Sequence, residues 1–521
     1  MLHATSLKTR FLVSVGSNGI RSIISFVSGL LIARGLNPSG YGDFMFLLGT
    51  FVAIRSLLDM GSSSAFYTFL SRQAQGLRFY LSYFTWMTLQ FLITLSFVAL
   101  IIPSTIFQRV WLGHNREIVV ITFFAAFMQQ QVWQTVSQIG ESRRKTIMVQ
   151  LMNVVIALTY LAMISLLLVF GYMSVKNILF LIIIQYAAAT ILAYWLLKED
   201  QARPVENNRS LKQVSREYWV YCKPLMILSL VNFLYDFADK WMLQKFGGPT
   251  QQGYFQIASQ FANVSLLATT SILSIFWKEI ADAWAKQNHT RVEMLYRKVS
   301  RGLVMLGAII TGILLPWSKQ IVMIFLGPAY SQAWPVLAMM LLYPIHQSMG
   351  QIGGTMFLAS GNTHKFMLVG MGMMLISIPF SYLALAPTTG GLIPGLDLGA
   401  MGIATKMVLL GIISVNIQAW VIARYSGWRF DWMFQLVGIP LMIGLGYLVN
   451  KLVGLMWNLE DISKADLMVP MVLSGVIYAL FVTLTIWIFP WLIGVEKEEI
   501  NDLFKKPVYS LLYKSEPIKR C

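Results

Sequence analysis

The first long apolar stretch of the chain carries a line of polar residues at helical spacing. Within residues 14–44, Ile, Val, Leu and Phe fill most positions, and the polar exceptions recur every three or four residues, which places them on one face of an α-helix. An arginine in the middle of a membrane span costs about 3 kcal/mol on insertion scales, so Arg21 is expected to face a cavity or a partner. The polar face consists of Ser14, Asn18, Arg21, Ser25 and Ser28.

Apolar segments of about 20 residues follow one another along the whole chain and predict an all-α polytopic membrane protein with about fourteen transmembrane helices. The connections on the N-terminal side carry more than three times as many Lys and Arg residues as those on the opposite side. Both termini are therefore expected in the cytoplasm. The predicted spans are residues 11–33, 43–69, 79–102, 117–139, 146–170, 177–197, 219–244, 253–276, 299–316, 333–358, 366–385, 399–423, 433–456 and 467–493.

Composition restricts the class of protein further. Of the 521 residues, 56% are apolar and 12% are charged, which excludes an ordinary soluble protein. The net charge of +17 does not indicate nucleic acid, because the basic residues are scattered singly between apolar segments. Cys222 and Cys521 fall on the predicted cytoplasmic side, so no disulfide is expected. The histidines lack metal-site spacing and no Gly-Lys-Ser/Thr phosphate loop occurs, so we predict no metal, no cofactor and no enzymatic chemistry.

A turn sequence between spans 1 and 2 recurs between spans 7 and 8. Residues 34–44 and 245–255 align with an offset of 211, and residues 140–144 and 361–365 align with an offset of 221. We therefore predict two six-helix lobes, related by an axis along the membrane normal because each holds an even number of spans. The predicted divisions are an N-lobe at 1–197, a cytoplasmic linker at 198–218, a C-lobe at 219–425, spans 13 and 14 at 426–493, and a cytoplasmic tail at 494–521.

The offset of 211 also maps the polar face of span 1 onto a polar face of span 7, at Ser229, Asn232, Asp236 and Asp239. Because several spans carry such faces, we expect one shared wet cavity between two helical lobes. The other polar positions are Arg55 and Asp59 in span 2, Gln130, Gln134 and Gln138 in span 4, Gln256, Gln260, Asn263, Thr270 and Ser274 in span 8, and Tyr343, Gln347 and Gln351 in span 10.

Four short motifs mark the links between spans. They are Arg34-x-Leu-x-Pro-x-x-Tyr-Gly-x-Phe, Leu326-Gly-Pro-Ala-Tyr330, Gly361-Asn-Thr-His-Lys365 and Gly399-Ala-Met-Gly-Ile-Ala-Thr405. Together they resemble the Wzx-type polysaccharide flippases, which handle O-antigen and other lipid-linked oligosaccharides in the multidrug/oligosaccharidyl-lipid/polysaccharide (MOP) exporter superfamily. The resemblance implies a V-shaped pair of lobes that moves a polyprenyl-pyrophosphate-linked oligosaccharide from the cytoplasmic to the outer leaflet of the inner membrane. The presence of two aspartates on span 7 departs from the pattern of that family. It argues against a cavity that carries positive charge alone.

A cavity for this substrate needs cations for the pyrophosphate, and amides and aromatic rings for the sugars. We predict Arg21, Arg55 and Lys240 as the cations. Two i,i+4 pairs leave an alternative open, because Arg55 with Asp59, and Asp236 with Lys240, can neutralise each other and fix helix packing only. The predicted sugar contacts are Asn18, Gln130, Gln134, Gln256, Gln260 and Asn263, with Trp133 and Tyr343.

Carboxylates inside the spans suggest ion coupling by H⁺ or Na⁺. For span 7, a structural partnership of the aspartates with Lys240 or Arg21 is the alternative. Lys406 either lines the cavity or extends to the outer surface. The candidate coupling residues are Asp59, Asp236 and Asp239, and the residues assigned a structural role in the first turn are Arg34, Pro38, Tyr41 and Gly42.

Three functions compete on these observations. The first is a lipid-linked oligosaccharide flippase that works by alternating access, in the inner (plasma) membrane and beside other polysaccharide-assembly proteins. The second is a cation-coupled multidrug exporter of the same superfamily, for which the span-7 carboxylates would be central. The third is a membrane glycosyltransferase or polymerase, which usually needs a large outer loop, whereas every outer connection here is short.

Overall fold

The computed structural model describes residues 7–73, 75–197, 210–389, 393–457 and 466–499, and throughout these ranges the regular secondary structure is helical. The predicted all-α fold is confirmed. The helices of the first part are α1 (Leu7–Asp59), α2 (Ser62–Arg72), α3 (Leu77–Ser96), α4 (Ser104–Val110), α5 (Arg116–Phe127), α6 (Trp133–Ser142), α7 (Thr146–Val169) and α8 (Val175–Leu197). Those of the second part are α9 (Leu211–Met242), α10 (Gly248–Ala285), α11 (His289–Leu314), α12 (Ser318–Phe325), α13 (Trp334–Met340), α14 (Tyr343–Ala359), α15 (Thr363–Leu385), α16 (Gly399–Ser426), α17 (Met433–Met456) and α18 (Met468–Ile488).

Ten stretches of the described residues are long and apolar enough to cross a membrane. Two of them, Val13–Asp59 and Lys212–Leu266, each cover two predicted spans, so the ten stretches account for twelve of the fourteen. The other two predicted spans are interrupted helices. A π-helical turn at Met128–Val132 divides residues 117–139, and a break between α13 and α14 divides residues 333–358. About fourteen membrane-crossing segments are consistent with both observations.

Exposed apolar residues form stripes of the kind that face lipid. On α7, Leu151, Val155 and Leu158 are about half exposed and stand four and three residues apart. A soluble helix would bury such a stripe, whereas a transmembrane helix presents it to acyl chains.

The chain divides by contacts into two compact units, each with its own core. The core of unit 1 contains Phe51, which stacks on Trp111, and the core of unit 2 contains Met442 and Tyr478. This division does not follow the boundary between the predicted lobes, which stay a prediction. Unit 1 comprises the described parts of Met1–Val264, Phe325–Leu337 and Gly370–Met407, and unit 2 those of Ser265–Ile324, Ala338–Val369 and Val408–Cys521.

The two repeated turns share one backbone conformation, and each is a kink between helical segments. Asn37 interrupts α1 with φ 59° and ψ 172°, and Gly248 begins α10 with φ 77° and ψ 175°. At this ψ a positive φ is adopted almost only by glycine, which explains the residue type of Gly248 and makes Asn37 a strained position. A proline, Pro38 or Pro249, follows each kink and fits the first turn of the next helical segment. The equivalent residues are separated by the predicted offset of 211.

Glycines allow the two turns to pack backbone against backbone. Gly42 lies against the carbonyl group of Pro249, and Gly253 lies against the carbonyl group of Pro38, with no room for a Cβ atom at either glycine. The offset of 211 converts the first contact into the second. The two turns therefore contact each other in the same way as two copies related by a two-fold axis.

A second pair of reciprocal contacts lies further along these helices. The Gln260 amide lies over Gly29, and the aliphatic stem of Lys240 lies over Gly49, again without space for a Cβ atom on the glycines. Adding 211 to Gly29 gives Lys240, and adding it to Gly49 gives Gln260. Each repeat thus supplies one glycine and one long polar side chain, as expected if the register read from the sequence is correct.

Two expectations about the connections need correction. Apolar residues alternate with Lys and Arg along residues 277–298, as in a helix that lies on the membrane surface. No separate helix forms there, because α10 runs to Ala285, α11 begins at His289, and Ile280 is fully buried. The helix of span 7 begins at Leu211, capped by Ser210, and so takes in part of the predicted linker. Residues 198–209 of that linker and residues 500–521 of the predicted tail lie outside the described residues.

Candidate functional site

Arg55 is held by neutral amides in the middle of unit 1. Its guanidinium donates from Nε to Gln131 Oε1 at 2.7 Å and from Nη2 to Gln134 Oε1 at 2.5 Å. These contacts join α1 to the π-turn and to α6. Two amide oxygens orient the guanidinium without cancelling its charge.

The predicted ion pair between Arg55 and Asp59 is absent from the contacts of the described residues. Asp59 Oδ1 instead accepts hydrogen bonds from the Ser62 hydroxyl at 2.9 Å and from the Ser63 amide at 3.0 Å. Asp59 therefore caps the start of α2, where a carboxylate is favoured by the unsatisfied amides and by the helix dipole. Asp59 still acts electrostatically on the Arg55 charge without touching it, so the alternative in which the two charges neutralise each other stays open.

The π-turn explains why one glutamine of this site was missed. An α-helical spacing of four predicts Gln130, Gln134 and Gln138 on one face, but the turn at Met128–Val132 shifts the register and brings Gln131 to Arg55. Gln130 instead lines a small cavity of about 30 Å³ beside the Arg55 side chain. The three consecutive glutamines at residues 129–131 were the sequence feature that could have pointed to Gln131.

Lys406 lies at the centre of a second group of polar side chains in unit 1. Its contacts decide between the two positions predicted for it, in the cavity lining or at the outer surface. Its Nζ donates to Asp239 Oδ2 at 2.5 Å, to Ser377 Oγ at 2.9 Å and to Ser381 Oγ at 3.0 Å. The side chains of Lys406 and Asp239 are only 3% and 14% exposed. Lys406 therefore neither extends to the surface nor offers a free charge. No pattern in the sequence singled out Ser377 and Ser381.

Lys240 and Asp236 also lack the direct ion pair that their spacing suggested. Lys240 Nζ points to the backbone carbonyl of Asp236 at 3.4 Å, and its stem crosses Gly49. Both side chains are half-buried. The Lys240 ammonium is thus positioned by the contact between the repeats and not by the Asp236 carboxylate.

The other predicted cavity residues occupy different environments. Arg21 and Asn18 are exposed on α1, and the Arg21 charge acts on the phenol of Tyr186, which accepts a hydrogen bond from Gln129 at 3.4 Å. Gln256 is half-buried and Asn263 is exposed. The side chains of Thr270 and Ser274 lie outside the described part of the chain. The contact of these residues with a substrate stays a prediction.

Gln260 and Tyr41 are joined to each other across the repeats. The Tyr41 hydroxyl donates to Gln260 Oε1 at 3.2 Å, and Gln260 Nε2 donates to the Phe26 carbonyl at 3.2 Å. Tyr41 is buried, Pro38 is buried and Arg34 is exposed. These contacts are compatible with the structural role expected for the first turn.

Trp133 is buried in a cluster of α6, α7 and α8, where its Nε1 donates to Asn153 Oδ1 at 2.9 Å. It offers no free ring face for a sugar, and the expectation that it contacts one is wrong. Tyr343 is half-buried. No group of metal-binding side chains occurs among the described residues.

A larger cavity of about 840 Å³ lies within unit 1, between α2, α3 and α9. Asp59 and Ser62 line its polar part, and Trp86, Leu89 and Trp219 line its apolar part. A cavity with polar and apolar parts of this size admits a portion of an amphipathic molecule.

Comparisons with known proteins identify the family of the chain. Residues 7–277, just over half of the chain, match the sequence profile of the polysaccharide biosynthesis protein family. The chain belongs to that family. No curated protein matches it.

Solved structures show the fold. A "Lipid II flippase MurJ" in an inward closed conformation matches with a TM-score of 0.64 at 14% identity, covering 90% of this chain and 98% of that one. An inward-facing MATE family multidrug resistance transporter of the MOP superfamily matches with a TM-score of 0.61 at 13% identity, covering 78% and 94%. A MOP superfamily transporter from Pyrococcus furiosus gives 0.52 at 12% identity, covering 80% and 94%. The chain is therefore a multi-pass membrane protein with the MOP transporter fold.

Proposed function

We propose that this protein moves a polyprenyl-pyrophosphate-linked oligosaccharide from the cytoplasmic to the outer leaflet of the membrane. The family is named for polysaccharide biosynthesis, and one structure of the same fold is that of a lipid II flippase. The proposal needs a route for a large anionic headgroup through an apolar slab. That route requires fixed positive charge inside the protein.

Arg55 carries this proposal. Its guanidinium is half-buried, oriented by Gln131 and Gln134, and free of a direct carboxylate contact. A guanidinium in this state binds phosphate oxygens strongly, because no counter-ion has to be displaced first. Arg21 and Lys240, which have no ion pair among the described contacts, extend the positive surface in the proposal. Asn18, Gln130, Gln134, Gln256 and Asn263 supply amide contacts to sugar hydroxyls.

Movement of the headgroup is proposed to follow alternating access between the predicted lobes. The contacts of Gly42 with Pro249 and of Gly253 with Pro38 support closure at the predicted outer side of this pathway. The larger cavity beside Asp59 and Trp219 is the proposed place where the amphipathic substrate first enters from the cytoplasmic leaflet.

The location follows from the charge distribution. Because Lys and Arg are concentrated in the connections on the N-terminal side, we propose a plasma-membrane protein, an inner-membrane protein in a Gram-negative bacterium, with both termini in the cytoplasm. Its partners in the proposal are the enzymes that build and polymerise the glycan. Reporter fusions at each terminus and in the 34–44 turn test this orientation.

A second candidate is a cation-coupled multidrug exporter, since that activity occurs on the same fold. Asp236 is the feature that favours it, because its half-buried carboxylate has no direct ion pair among the described contacts and can take up a cation. Asp239 does not add to this case, because Lys406 already binds its carboxylate.

The experiment that separates the two candidates is complementation of strains that lack either a polysaccharide flippase or a drug exporter. We expect wild-type protein to restore surface glycan, and Arg55→Gln to fail although it reaches the membrane in equal amounts. Dye efflux that depends on Asp236 and is indifferent to Arg55 would reject the flippase in favour of the exporter.

A further inference from the structure

The hydrogen bonds of Lys406 use every donor that a lysine has. An ammonium group carries three N–H donors, and three oxygens receive them: Asp239 Oδ2, Ser377 Oγ and Ser381 Oγ. The three oxygens come from α9 and α15, whereas the ammonium comes from α16. Two helices thus build a cup of oxygens, and a third inserts a cation into it.

The chemistry of the cup is that of a small-cation site. One carboxylate oxygen and two hydroxyl oxygens converge on one point that is almost closed to solvent. The Tyr235 ring lies 5.4 Å from the ammonium and contributes its negative face. Hard oxygen ligands of this kind are what alkali and alkaline-earth ions prefer in proteins.

The charged neighbours of the cup do not replace Lys406. On α9, Asp236 adds a second negative charge one turn away, and Lys240 directs its ammonium to the Asp236 carbonyl. Within the described residues, Lys406 is the cation that forms an ion pair with Asp239. Removing the ammonium therefore leaves a buried carboxylate beside another carboxylate, a state that strongly favours uptake of a cation.

We propose that Lys406 is a tethered cation that fills a site built for a small monovalent ion. In the wild-type protein the cup formed by Asp239, Ser377 and Ser381 is consequently closed to Na⁺. Truncation of Lys406 opens it, and Na⁺ then binds to the same three oxygens. This inference goes beyond the proposed substrate, since it concerns the ion that the C-terminal repeat can hold and not the glycan.

One consequence concerns energy coupling. A Na⁺ gradient cannot act through Asp239 while the ammonium occupies the cup, so any Na⁺ dependence of transport by the wild-type protein arises elsewhere. The same geometry distinguishes Asp239 from Asp236, which lies on the same helix without a direct ion pair.

The test is thermal unfolding of purified full-length protein in detergent, with NaCl exchanged for choline chloride at constant ionic strength. We expect the melting temperature of Lys406→Ala to rise by about 2 °C or more as Na⁺ is added, while that of the wild type does not respond. The additional variant Asp239→Asn/Lys406→Ala removes the carboxylate and is expected to lose the response. Lys176→Ala is the matched control, because Lys176 pairs with Glu117 at 2.6 Å on the exposed surface, where no cup exists.

Three results would overturn the proposal. The first is a Lys406→Ala protein whose stability depends on pH but not on Na⁺, because protonation of the carboxylate then replaces the ammonium. The second is a wild-type protein that Na⁺ stabilises through Asp239. The third is failure of both Lys406→Ala and Lys406→Ser to fold in NaCl while Asp239→Asn/Lys406→Ala folds, because Na⁺ would then have failed to fill the vacated cup. All readouts are independent of glycan transport, so they stand whether or not the proposed function is correct.

Discussion

Two cations within unit 1, one half-buried and one buried, are bound in opposite ways. Arg55 donates to the amide oxygens of Gln131 and Gln134, which carry no charge. Lys406 donates to the carboxylate of Asp239 and to two serines that complete its shell. The first arrangement keeps a net positive charge, and the second cancels it.

The difference shows how one membrane protein separates stability from binding. A cation with a full set of partners stabilises the helices that it joins, because its desolvation is offset by a carboxylate and by hydroxyl groups. A cation held only by amides is less well compensated and retains an attraction for an anionic ligand. Mutations at the two sites should therefore affect different properties of the protein.

The largest expected effect is on stability at the Lys406 site. Lys406→Ala or Asp239→Asn leaves one buried charge without its partner, and we expect a loss of about 3–5 kcal/mol in the free energy of unfolding, measured without Na⁺. The double variant Asp239→Asn/Lys406→Met should recover most of this loss, since no buried charge remains. Equal losses in the single and double variants, measured by thermal unfolding, would contradict a strong coupling between the two residues.

A large effect on transport is expected at Arg55. Arg55→Gln keeps a polar side chain but removes the charge, and charge-assisted hydrogen bonds contribute about 1.5–3 kcal/mol, so surface glycan should fall at least about tenfold. Arg55→Lys should retain part of the activity. Arg109→Gln, at an exposed position, serves as the control for loss of an arginine. A tenfold loss in this control as well would show that the assay reports net charge or expression.

An intermediate effect is expected where the repeated turns meet. An alanine at Gly42 or Gly253 places a methyl group against a backbone carbonyl, which should cost about 1–3 kcal/mol of unfolding free energy. The double variant should cost less than the sum of the single variants, because the first substitution already separates the turns.

Gly370→Ala is the control for this series, since open space surrounds Gly370 within α15. Unfolding by denaturant in detergent gives the comparison. If Gly42→Ala is as harmless as the control, the close contact between the repeats is absent in solution.

The smallest effect is a pH dependence at His114, outside the predicted spans. Burial of the ring opposes its protonation, but the hydrogen bond and charge of Asp43, at 3.2 Å, and the Trp111 carbonyl prevail and raise the His114 pKa above its usual value. The ion pair thus stabilises the protein fully below the ordinary histidine pKa, and the contribution is lost as pH rises through the raised pKa.

We expect the stability difference between wild type and His114→Gln to be less than about 1 kcal/mol and confined to the acidic side of that transition. Thermal unfolding of both proteins from pH 5.5 to pH 8.5 measures it. A difference that grows with pH would have the wrong sign for this ion pair.

The helical fold and the offset of 211 between the two turns could be predicted from sequence because both depend on local patterns. Apolar periodicity identified the spans, and the punctuation at Pro38 and Pro249 identified the offset that the glycine contacts obey. The partners of the charged residues could not be predicted in this way. Lys406 meets Asp239 across 167 residues, and Gln131 reaches Arg55 only because a π-turn shifts the helical register. From sequence alone, ion pairs between residues one helical turn apart, such as Arg55 with Asp59, were the available prediction. In the structure the Arg55 side chain contacts residues that are distant in sequence instead.

The most direct measurement follows the transfer of a polyprenyl-pyrophosphate-linked fluorescent oligosaccharide across proteoliposomes. It compares the wild type with Arg55→Gln and with Asp239→Asn/Lys406→Met, each reconstituted in equal amounts. We predict that Arg55→Gln slows transfer at least about tenfold, whereas the double variant, which removes a charge pair that is already neutral, retains it. Full transfer by Arg55→Gln would contradict the claim that a positive charge without a direct carboxylate contact at this position draws the headgroup through the membrane.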